Sequence, residues 1–424
     1  MEFSVKYKER KIPFVLKPET SVLELKKILF SYSNIPHQLQ ILVSNEQPLS
    51  NEMGICDIEF TKDKLVHLTI DSNVDEVLSK FPEGEVTNYQ KKMMVDIDLG
   101  NNFENRISAI KMMRRIYGYL YRVGQYQEQR LHELIQKTIP IADLVNSEMF
   151  LESEKAQIYL DSTEQAKPLL RCDQFNKAGR WGFLLSLMHW FKTKFFKWFG
   201  KIECPKCNAP MERQGYTAAF EEDLKYGAPR VEQFCCTSCK HLLRFPRYNS
   251  VERLLQSRIG RCGEWANVFA GMTTAFGYDT RLVLDLTDHV WVEVFNESTQ
   301  KWIHFDPCED ISDKPLTYEV GWGKKLTYII AFGPLEVVDV TPRYTQALEQ
   351  VYNRRFEEYQ LEENWFSSLL HKINSKLQEK VDPQILELVG KRNKSEQNEF
   401  ELKITKRDLK KEETRSRISG FEKK

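Results

Sequence analysis

A single cysteine, Cys262, has sequence surroundings that are typical of a nucleophile. It lies in the stretch GRCGEWANVFAGMTTAF, where Gly260 and Gly263 free the backbone and the following residues have helical periodicity. This pattern places Cys262 at the first turn of a helix, where unpaired N–H groups and the helix dipole favour a thiolate. The same N–H groups can bind a developing oxyanion. The alternative is that Cys262 is a small apolar residue of the core, as isolated cysteines usually are.

A thiolate nucleophile needs a base, and the sequence after Cys262 offers one in His289. The stretches HVWVEVF and KWIHFDP both alternate as strands do, and NEST between them is typical of a turn. If Asn296 faces Thr299, the register sets His289 opposite Asp306, with Cβ atoms about 5 Å apart. The carboxylate would then fix the tautomer of the imidazole and stabilise the imidazolium. A histidine at the start of a strand is more often a surface residue, so the prediction depends on the joint pattern.

Two C-x-x-C pairs, CPKC and CTSC, flank one hairpin and are candidates for a metal site. The pairs are Cys204 with Cys207 and Cys236 with Cys239. Four thiolates close a tetrahedral Zn²⁺ site to water, so we expect one structural ion that stabilises the hairpin of residues 201–245. Redox-active or unrelated thiols are the less favoured alternative. Cys235 is expected to lie on the opposite side of the strand from Cys236, and His241 is only a weak substitute ligand.

The composition restricts the class of protein. The 424 residues include 61 basic and 61 acidic side chains, so no overall basic field attracts nucleic acid. Nine cysteines, an odd number, and an N-terminus without an apolar signal region indicate reduced thiols in the cytoplasm, with the nucleus as a second compartment. The most apolar run, WGFLLSLMHWFKTKFFKWF, is interrupted by charges. It predicts a helix on the core rather than one on a membrane surface, and no stable membrane insertion.

The N-terminal residues 1–72 read as a small domain of their own. Two strands, a helix and two further strands follow one another, with Val22, Leu25 and Ile28 on one face of the helix. Thr20 or Ser21 is expected to cap that helix. The β-β-α-β-β order resembles the ubiquitin-like β-grasp fold. Downstream, we expect a helical linker (73–140), a catalytic core (141–345) and a helical, charged C-terminal extension (346–424).

Four stretches together resemble the cytoplasmic peptide:N-glycanases of the transglutaminase-like superfamily. They are GRCGEWANVF, DHVWVEVF, WIHFDPCE and GWGKKLTYIIAF, and the two C-x-x-C pairs followed by RFPRYN match as well. The resemblance covers about residues 140 to 345. It implies an α+β fold with a transglutaminase-like, papain-like cysteine core and helical flanks. It also implies that Cys262 is the nucleophile, His289 the base and Asp306 the orienting acid, and that the paired cysteines bind zinc.

Further candidate site residues surround this set, one of them from the resemblance. Trp198 matches a family tryptophan just before the first cysteine pair, and its indole N–H could help to hold the oxyanion. Glu264 and Trp265, next to the nucleophile, are further candidates for oxyanion or substrate contacts. His304 shares a strand face with Asp306 and is a runner-up for a role in the site.

The implied reaction is hydrolysis of the amide that links an N-glycan to asparagine, which releases the glycan and leaves aspartate. The implied substrates are misfolded N-glycoproteins and glycopeptides in the cytosol, in support of ER-associated degradation. The ubiquitin-like start suggests contact with ubiquitin–proteasome components. Two alternatives remain, a protein-glutamine transglutaminase and a non-catalytic adaptor that binds glycans or ubiquitin-pathway proteins. The zinc hairpin argues against the first alternative, and the complete Cys–His–Asp set argues against the second.

Overall fold

The polypeptide forms two units that interleave along the chain. The computed structural model describes residues 1–7, 10–33, 40–60, 62–70, 103–151 and 177–402. One unit consists of Met1–Asn88 and Lys201–Asn249, and the other of Tyr89–Gly200 and Ser250–Lys424. Much of the predicted linker and the strongly charged C-terminal stretch KRDLKKEETRSRISGFEKK lie outside the described residues.

The described residues form the following elements. The strands are β1 Glu2–Tyr7, β2 Arg10–Val15, β3 Gln40–Ser44, β4 Gln47–Pro48, β5 Leu65–Ile70, β6 Lys197–Trp198, β7 Met211–Thr217, β8 Val231–Cys236, β9 Leu242–Pro246, β10 Ile259–Gly260, β11 Thr280–Asp285, β12 His289–Asn296, β13 Lys301–Asp306, β14 Ile311–Ser312, β15 Ile329–Phe332 and β16 Val337–Asp339. The α-helices are α1 Val22–Ser33, α2 Phe103–Gln125, α3 Gln129–Thr138, α4 Ile141–Val145, α5 Glu148–Leu151, α6 Lys177–Trp190, α7 Glu221–Lys225, α8 Val251–Ser257, α9 Cys262–Ala275, α10 Thr341–Tyr344, α11 Leu348–Tyr359, α12 Glu363–Gln378 and α13 Pro383–Leu402.

The first unit begins with a five-stranded sheet in the order β2-β1-β5-β3-β4, in which β1 and β5 are parallel. Helix α1 follows β2 and buries Val22, Leu25 and Leu29 completely. The side chain of Ile28 lies outside the described part. Of the two predicted caps, Ser21 is the one used: its Oγ accepts from the N–H of Glu24 at 3.2 Å, and the Glu24 carboxylate accepts from the N–H of Ser21 at 2.7 Å. This reciprocal pair is a capping box, which explains where α1 begins.

The second segment of the first unit is the three-stranded antiparallel sheet β7-β8-β9. This sheet has a small apolar interior, and a buried ion pair also holds its strands together. Glu232 on β8 is 1 % exposed and receives hydrogen bonds from Arg213 at 3.0 Å and Arg247 at 3.1 Å. Because a segment of this size buries little apolar surface, a metal ion would be an effective additional staple.

The second unit is organised around a six-stranded antiparallel sheet in the order β14-β13-β12-β11-β15-β16. One face, which carries Val283, Trp291 and Ala331, packs into a cluster with Val351 and Phe400 of the C-terminal helices. Side chains alternate along a strand, so the neighbouring residues lie on the opposite face. There Phe332 stacks on Tyr119 of α2 at 5.1 Å, and Phe305 meets Trp181 of α6 at 5.3 Å. Helices therefore cover both faces of the sheet.

Helix α6 settles the interpretation of the most apolar run of the sequence. Phe183, Leu184, Leu187 and Phe191 are fully buried, so the predicted packing against a core is confirmed. One turn of π-helix at Phe191–Phe195 continues α6 and leads into β6. No helix within the described ranges has both the length and the apolar character needed to cross a bilayer.

Candidate active site and metal centre

Cys262 is the first residue of α9, as the sequence predicts. The helix start is fixed by Glu264, whose carboxylate accepts from the N–H of Arg261 at 2.9 Å. Gly260 allows the close approach that this geometry needs, because a Cβ there would lie 2.3 Å from the Cβ of Glu264. The thiol is partly exposed. It therefore lies at a helix N-terminus within reach of solvent, where an incoming carbonyl group can approach it.

His289 and Asp306 are hydrogen-bonded, although the predicted register of their strands is wrong. Asn296 pairs with Lys301 and not with Thr299, so β13 is displaced by two residues from the predicted alignment. A displacement of two residues keeps every side chain on its face of the sheet. His289 Nε2 and Asp306 Oδ2 are consequently still neighbours, 2.7 Å apart.

The longer turn between β12 and β13 explains the change in register. The side chain of Asn296 folds over the turn, and its Oδ1 accepts from the N–H of Ser298 at 2.8 Å and from that of Thr299 at 3.1 Å. Such an Asx turn occupies Thr299 with the loop and leaves Lys301 as the first paired residue.

Burial makes the His289–Asp306 pair strongly interacting. The two residues are 1 % and 0 % exposed. A carboxylate only accepts, so Nε2 of His289 carries the proton and Nδ1 is the free basic atom in the neutral ring. Nδ1 is buried without an ordinary hydrogen bond among the described residues, while the Cys262 thiol lies within interaction distance of the ring. The three side chains are thus arranged for proton transfer between sulfur and imidazole.

The ionisation of the pair follows from the same contacts. Burial alone would lower the pKa of His289, but the Asp306 carboxylate and the Cys262 sulfur outweigh it and raise the pKa to about 9. Burial likewise opposes charge on Asp306, and the attraction of His289 holds the pKa of that carboxyl at about 2. The site therefore favours an imidazolium beside a carboxylate at neutral pH.

Two further donors hold Asp306, and no sequence pattern predicts the second of them. The N–H of Cys308 donates to Oδ1 at 2.9 Å, and the hydroxyl of Tyr318 donates to Oδ2 at 2.9 Å. Tyr318 lies just after a 3₁₀ turn, where no periodic pattern marks a residue as buried. His304, the predicted runner-up, is 1 % exposed and contacts the Tyr318 hydroxyl at 2.7 Å through Nε2.

The segment after β13 is tied to the end of α6. Lys192 donates to the carbonyl oxygen of Cys308, and His189 Nδ1 lies 2.7 Å from the carboxylate of Asp310. The N–H of Cys308 also donates to Asp306. The helix that precedes β6 therefore helps to hold Asp306 in place through Cys308.

Strand pairing brings the backbone of Trp198 close to that of the nucleophile. Strand β6 runs parallel to β10, and Trp198 pairs with Gly260, two residues before Cys262. The indole is half-buried. A Cβ at Gly200 would lie 3.1 Å from the indole Nε1, so glycine makes room for this ring. An oxyanion contact from Trp198 remains a prediction.

Glu264 and Trp265 have contacts that explain them without a substrate. Glu264 caps α9 and is 5 % exposed. Trp265 is 3 % exposed, and its indole N–H donates to the carbonyl oxygen of Gly260 at 3.1 Å. Both residues shape the turn before Cys262, and their predicted contact with substrate stays untested.

The four cysteines of the two C-x-x-C pairs converge on one point. Their sulfur atoms lie within 4.8 Å of one another, with Cys204 and Cys239 at 3.5 Å and Cys207 and Cys236 at 3.4 Å. About 3.8 Å is expected between sulfurs around a tetrahedral ion with metal–sulfur bonds of about 2.3 Å. The donor set therefore fits a closed, structural Zn²⁺ site. Neither Cys235 nor His241 belongs to the group.

Loss of the metal centre should unfold the hairpin. We expect Cys204→Ser and Cys239→Ser to abolish stoichiometric zinc binding and to lower the melting temperature, because metal binding and folding are coupled. Cys235→Ser is the matched control, since it removes a neighbouring thiol and should change neither property. Zinc content by mass spectrometry and thermal melting with and without a strong chelator would check this. A chelated protein that loses its zinc and melts as before would contradict it.

Comparison with known proteins gives the following matches. Residues 213–307 match the family model described as the transglutaminase-like superfamily, and residues 286–401 match the Rad4 transglutaminase-like domain. A mouse protein named peptide-N(4)-(N-acetyl-beta-glucosaminyl)asparagine amidase is 52% identical over 173 residues, which are 41% of this chain and 27% of the relative. An Arabidopsis thaliana protein of the same name is 33% identical over 366 residues, which are 84% of this chain and 47% of the relative.

The chain thus spans less than half the length of these two curated relatives. Among solved structures, a Rad4–Rad23 complex crosslinked to undamaged DNA aligns with a TM-score of 0.42 and 15% identity, over 72% of this chain and 62% of that one. The two models together cover residues 213–401, and over these residues the predicted transglutaminase-like fold with mixed helices and sheets is confirmed.

Proposed function

We propose that this chain, with its transglutaminase-like fold, is a peptide:N-glycanase that hydrolyses the glycosyl-asparagine amide. The observation that carries the proposal is the Cys262 thiol at the start of α9 beside the buried His289–Asp306 pair. A thiol, a base and an orienting acid are the groups that acyl transfer requires. The curated relatives, which bear the name of this amidase, point to the amide that is cleaved.

The first half of the reaction forms a thioester. His289 takes the proton of the Cys262 thiol, and the thiolate attacks the side-chain carbonyl carbon of the glycosylated asparagine. N–H groups at the start of α9 stabilise the oxyanion, with Trp198 as a further donor from the side. His289 then gives its proton to the amide nitrogen, the C–N bond breaks, and the glycan leaves as a glycosylamine.

The second half restores the enzyme. His289, now neutral, takes a proton from water as it attacks the thioester carbonyl. The C–S bond breaks, and an aspartate side chain replaces the original asparagine. Oδ2 of Asp306 accepts a hydrogen bond from Nε2–H of His289 in both halves of the reaction. Nδ1 of the ring therefore stays directed at the reacting atoms. The zinc ion has no role in either half, because four thiolates leave it no open position.

Misfolded N-glycoproteins and glycopeptides are the proposed substrates. The nucleophile is the first residue of α9 and is only partly exposed, so the amide must approach within about 3 Å of a partly buried sulfur. A folded glycoprotein surface cannot present its amide in this way, whereas an unfolded chain can. Action in the cytoplasm, in support of ER-associated degradation, follows from this substrate class, and the nucleus is a second proposed compartment.

The N-terminal sheet is proposed to be a ubiquitin-like domain that contacts ubiquitin–proteasome components. Its order is β-β-α-β-β-β, one short strand more than the predicted β-β-α-β-β, and its first and last strands are parallel neighbours in the sheet, which supports this proposal. Such a domain would bring the amidase to substrates that are already marked for degradation.

The test compares one glycoprotein before and after reductive denaturation. We expect release of the free glycan, conversion of the linkage asparagine to aspartate, and a rate at least about tenfold higher on the denatured form, because only the unfolded chain can reach the nucleophile. Mass spectrometry of glycan and peptide measures each product. Absence of both products from a reduced, zinc-replete preparation would refute the proposal. Incorporation of a labelled amine in place of hydrolysis would instead favour the transglutaminase alternative.

A further inference from the structure

Tyr318 is a buried polar residue that touches the candidate catalytic set without belonging to it. It is fully buried, and its hydroxyl donates to Oδ2 of Asp306, the same oxygen that accepts from His289. Its ring stacks on Trp291 at 4.2 Å and lies 5.2 Å from the His289 ring. Tyr318 therefore contacts both partners of the histidine–carboxylate pair.

His304 determines the direction of the Tyr318 hydroxyl. The N–H of Lys314 points to Nδ1 of His304 at 3.4 Å, so Nδ1 accepts and Nε2 carries the proton. Nε2–H then donates to the Tyr318 oxygen at 2.7 Å, which leaves the hydroxyl proton to bond elsewhere. The acceptor in reach is Asp306. Burial lowers the pKa of His304 to about 4, so this neutral tautomer persists at neutral pH.

We propose that Tyr318, oriented by His304, is a positioning residue that fixes the Asp306 carboxylate against His289. The inference rests on the proposed function, since it assigns a task to the same site. Without the hydroxyl, Oδ2 has one donor instead of two, and the N–H of Cys308 holds the other oxygen of the carboxylate. The acid can then rotate about its Cβ–Cγ bond, and the imidazole is less precisely aimed.

The hydroxyl also moderates the basicity of the pair. A hydrogen bond to an ionised carboxylate withdraws charge from it. Once this bond is lost, the carboxylate attracts the imidazolium more strongly and His289 holds its proton more tightly. A more tightly held proton is transferred more slowly to the leaving nitrogen. Loss of the hydroxyl should therefore reduce kcat and move the alkaline limb of the pH profile to higher pH.

Several other ionisable groups surround this site. They are Cys262 from α9, Asp285 from β11 with its partner Lys324, Glu293 from β12, Asp306 and His304 from β13, Cys308, Glu309 and Asp313 after β13, Lys192 in the π-helical turn after α6, and Arg343 and Tyr344 from α10. A control variant must therefore leave the charged members of this set in place. Tyr344 is not one of them, because burial raises the pKa of its hydroxyl well above the ordinary value and keeps it neutral.

Tyr344→Phe provides that control for Tyr318→Phe. Tyr344 is also fully buried in the aromatic cluster around Trp291, but its hydroxyl donates to Glu293 at 2.7 Å and not to Asp306. Both variants delete one hydroxyl and keep a ring. A general effect of a lost buried hydrogen bond should appear in both, whereas a positioning effect should appear in Tyr318→Phe alone.

The experiment measures kcat and KM for a glycopeptide from about pH 5 to 10 with the full chain. We expect Tyr318→Phe to lower kcat about 10- to 100-fold, the range for a lost hydrogen bond to a charged group, with KM changed less than about threefold. Its alkaline limb should lie at higher pH than that of wild type and of Tyr344→Phe. His304→Leu, which removes the donor to Tyr318, should shift the limb in the same direction.

An unchanged kcat and limb in Tyr318→Phe would overturn the proposal, as would an equal shift in Tyr344→Phe. The rate at which iodoacetamide alkylates Cys262, followed on its peptide by mass spectrometry across the same pH range, needs no glycan. If wild-type protein released no glycan, the proposed function would fail. A shift of the alkylation profile in Tyr318→Phe alone would then still support the positioning role, and its absence would overturn that role.

Discussion

Cys262→Ala is expected to abolish glycan release, with a loss on the order of 10⁶-fold by comparison with the removal of other enzyme nucleophiles. The reason is that no other thiol among the described residues lies at a helix start beside a basic nitrogen. The fold should be unaffected, since alanine is well accepted at the first position of a helix. Cys235→Ser, a change of thiol in the other unit, is the control and should keep full activity. Residual release by Cys262→Ala at more than about one-thousandth of the wild-type rate would refute the thioester mechanism.

Asp306→Asn tests the same site through the pKa of His289. Burial lowers that pKa and the Asp306 carboxylate raises it, so an amide in its place should move the alkaline limb of activity from about pH 9 to lower pH. We also expect kcat to fall by about 10⁴-fold, because an amide can bond to the wrong tautomer. A pH–rate profile of both proteins measures the two effects. An Asn variant with the wild-type alkaline limb would contradict the assignment of that limb to His289.

The stability of the fold should also fall as the pH rises, because His289 loses its proton. In the folded chain the pKa of His289 is about 9, above the unfolded value of about 6.5. Protonated His289 thus stabilises the fold fully below about pH 6.5, and this contribution is lost as the pH rises through about 9. Asp306→Asn should flatten the decline of the melting temperature over that interval.

The chemistry of the site could be read from the sequence because its residues lie on regular elements. Side-chain alternation made the choice of His289 and Asp306 robust, since a register wrong by two residues still places them on one face. Tyr318 was missed because it lies in an irregular segment, where no period distinguishes a buried tyrosine from an exposed one. Its hydroxyl reaches Asp306 because the segment after β13 folds back on that strand, 12 residues further along the chain.

The C-terminal helices show a second feature that a local sequence pattern does not predict, namely which charged residues are buried. The sequence predicts a helical and charged extension, because acidic and basic residues are frequent there. In the structure, Glu396 and Phe400 on α13 are 4 % and 7 % exposed and face the sheet. One buried carboxylate in a charged helix looks like any solvated one unless its partner is known. That partner, Arg281, lies 115 residues away on β11, beyond the reach of any local pattern.

A buried ion cluster joins α13 to the sheet and to the wall of the site. Glu396 accepts from Arg281 at 2.9 Å and also from Arg343, and Arg343 in turn donates to Glu293. Glu293 accepts from the Tyr344 hydroxyl, which accepts from the indole of Trp291, the ring next to His289. The position of the C-terminal helix is therefore coupled by direct contacts to the residues that pack against His289.

Glu396→Ala is consequently expected to destabilise the second unit by about 3–5 kcal/mol, the cost of leaving buried guanidinium groups without their carboxylate. Glu387→Ala on the same helix is the matched control. Glu387 and its partner Lys391 are 66% and 69% exposed, so breaking that surface pair should cost less than about 1 kcal/mol. All eight tryptophans lie in the second unit, so urea unfolding followed by tryptophan fluorescence reports on that unit selectively. If the two variants unfolded at the same urea concentration as wild type, α13 would not be held by this cluster. If Glu396→Ala lost stability and kept its activity at low temperature, the helix would support the fold without affecting the aim of His289.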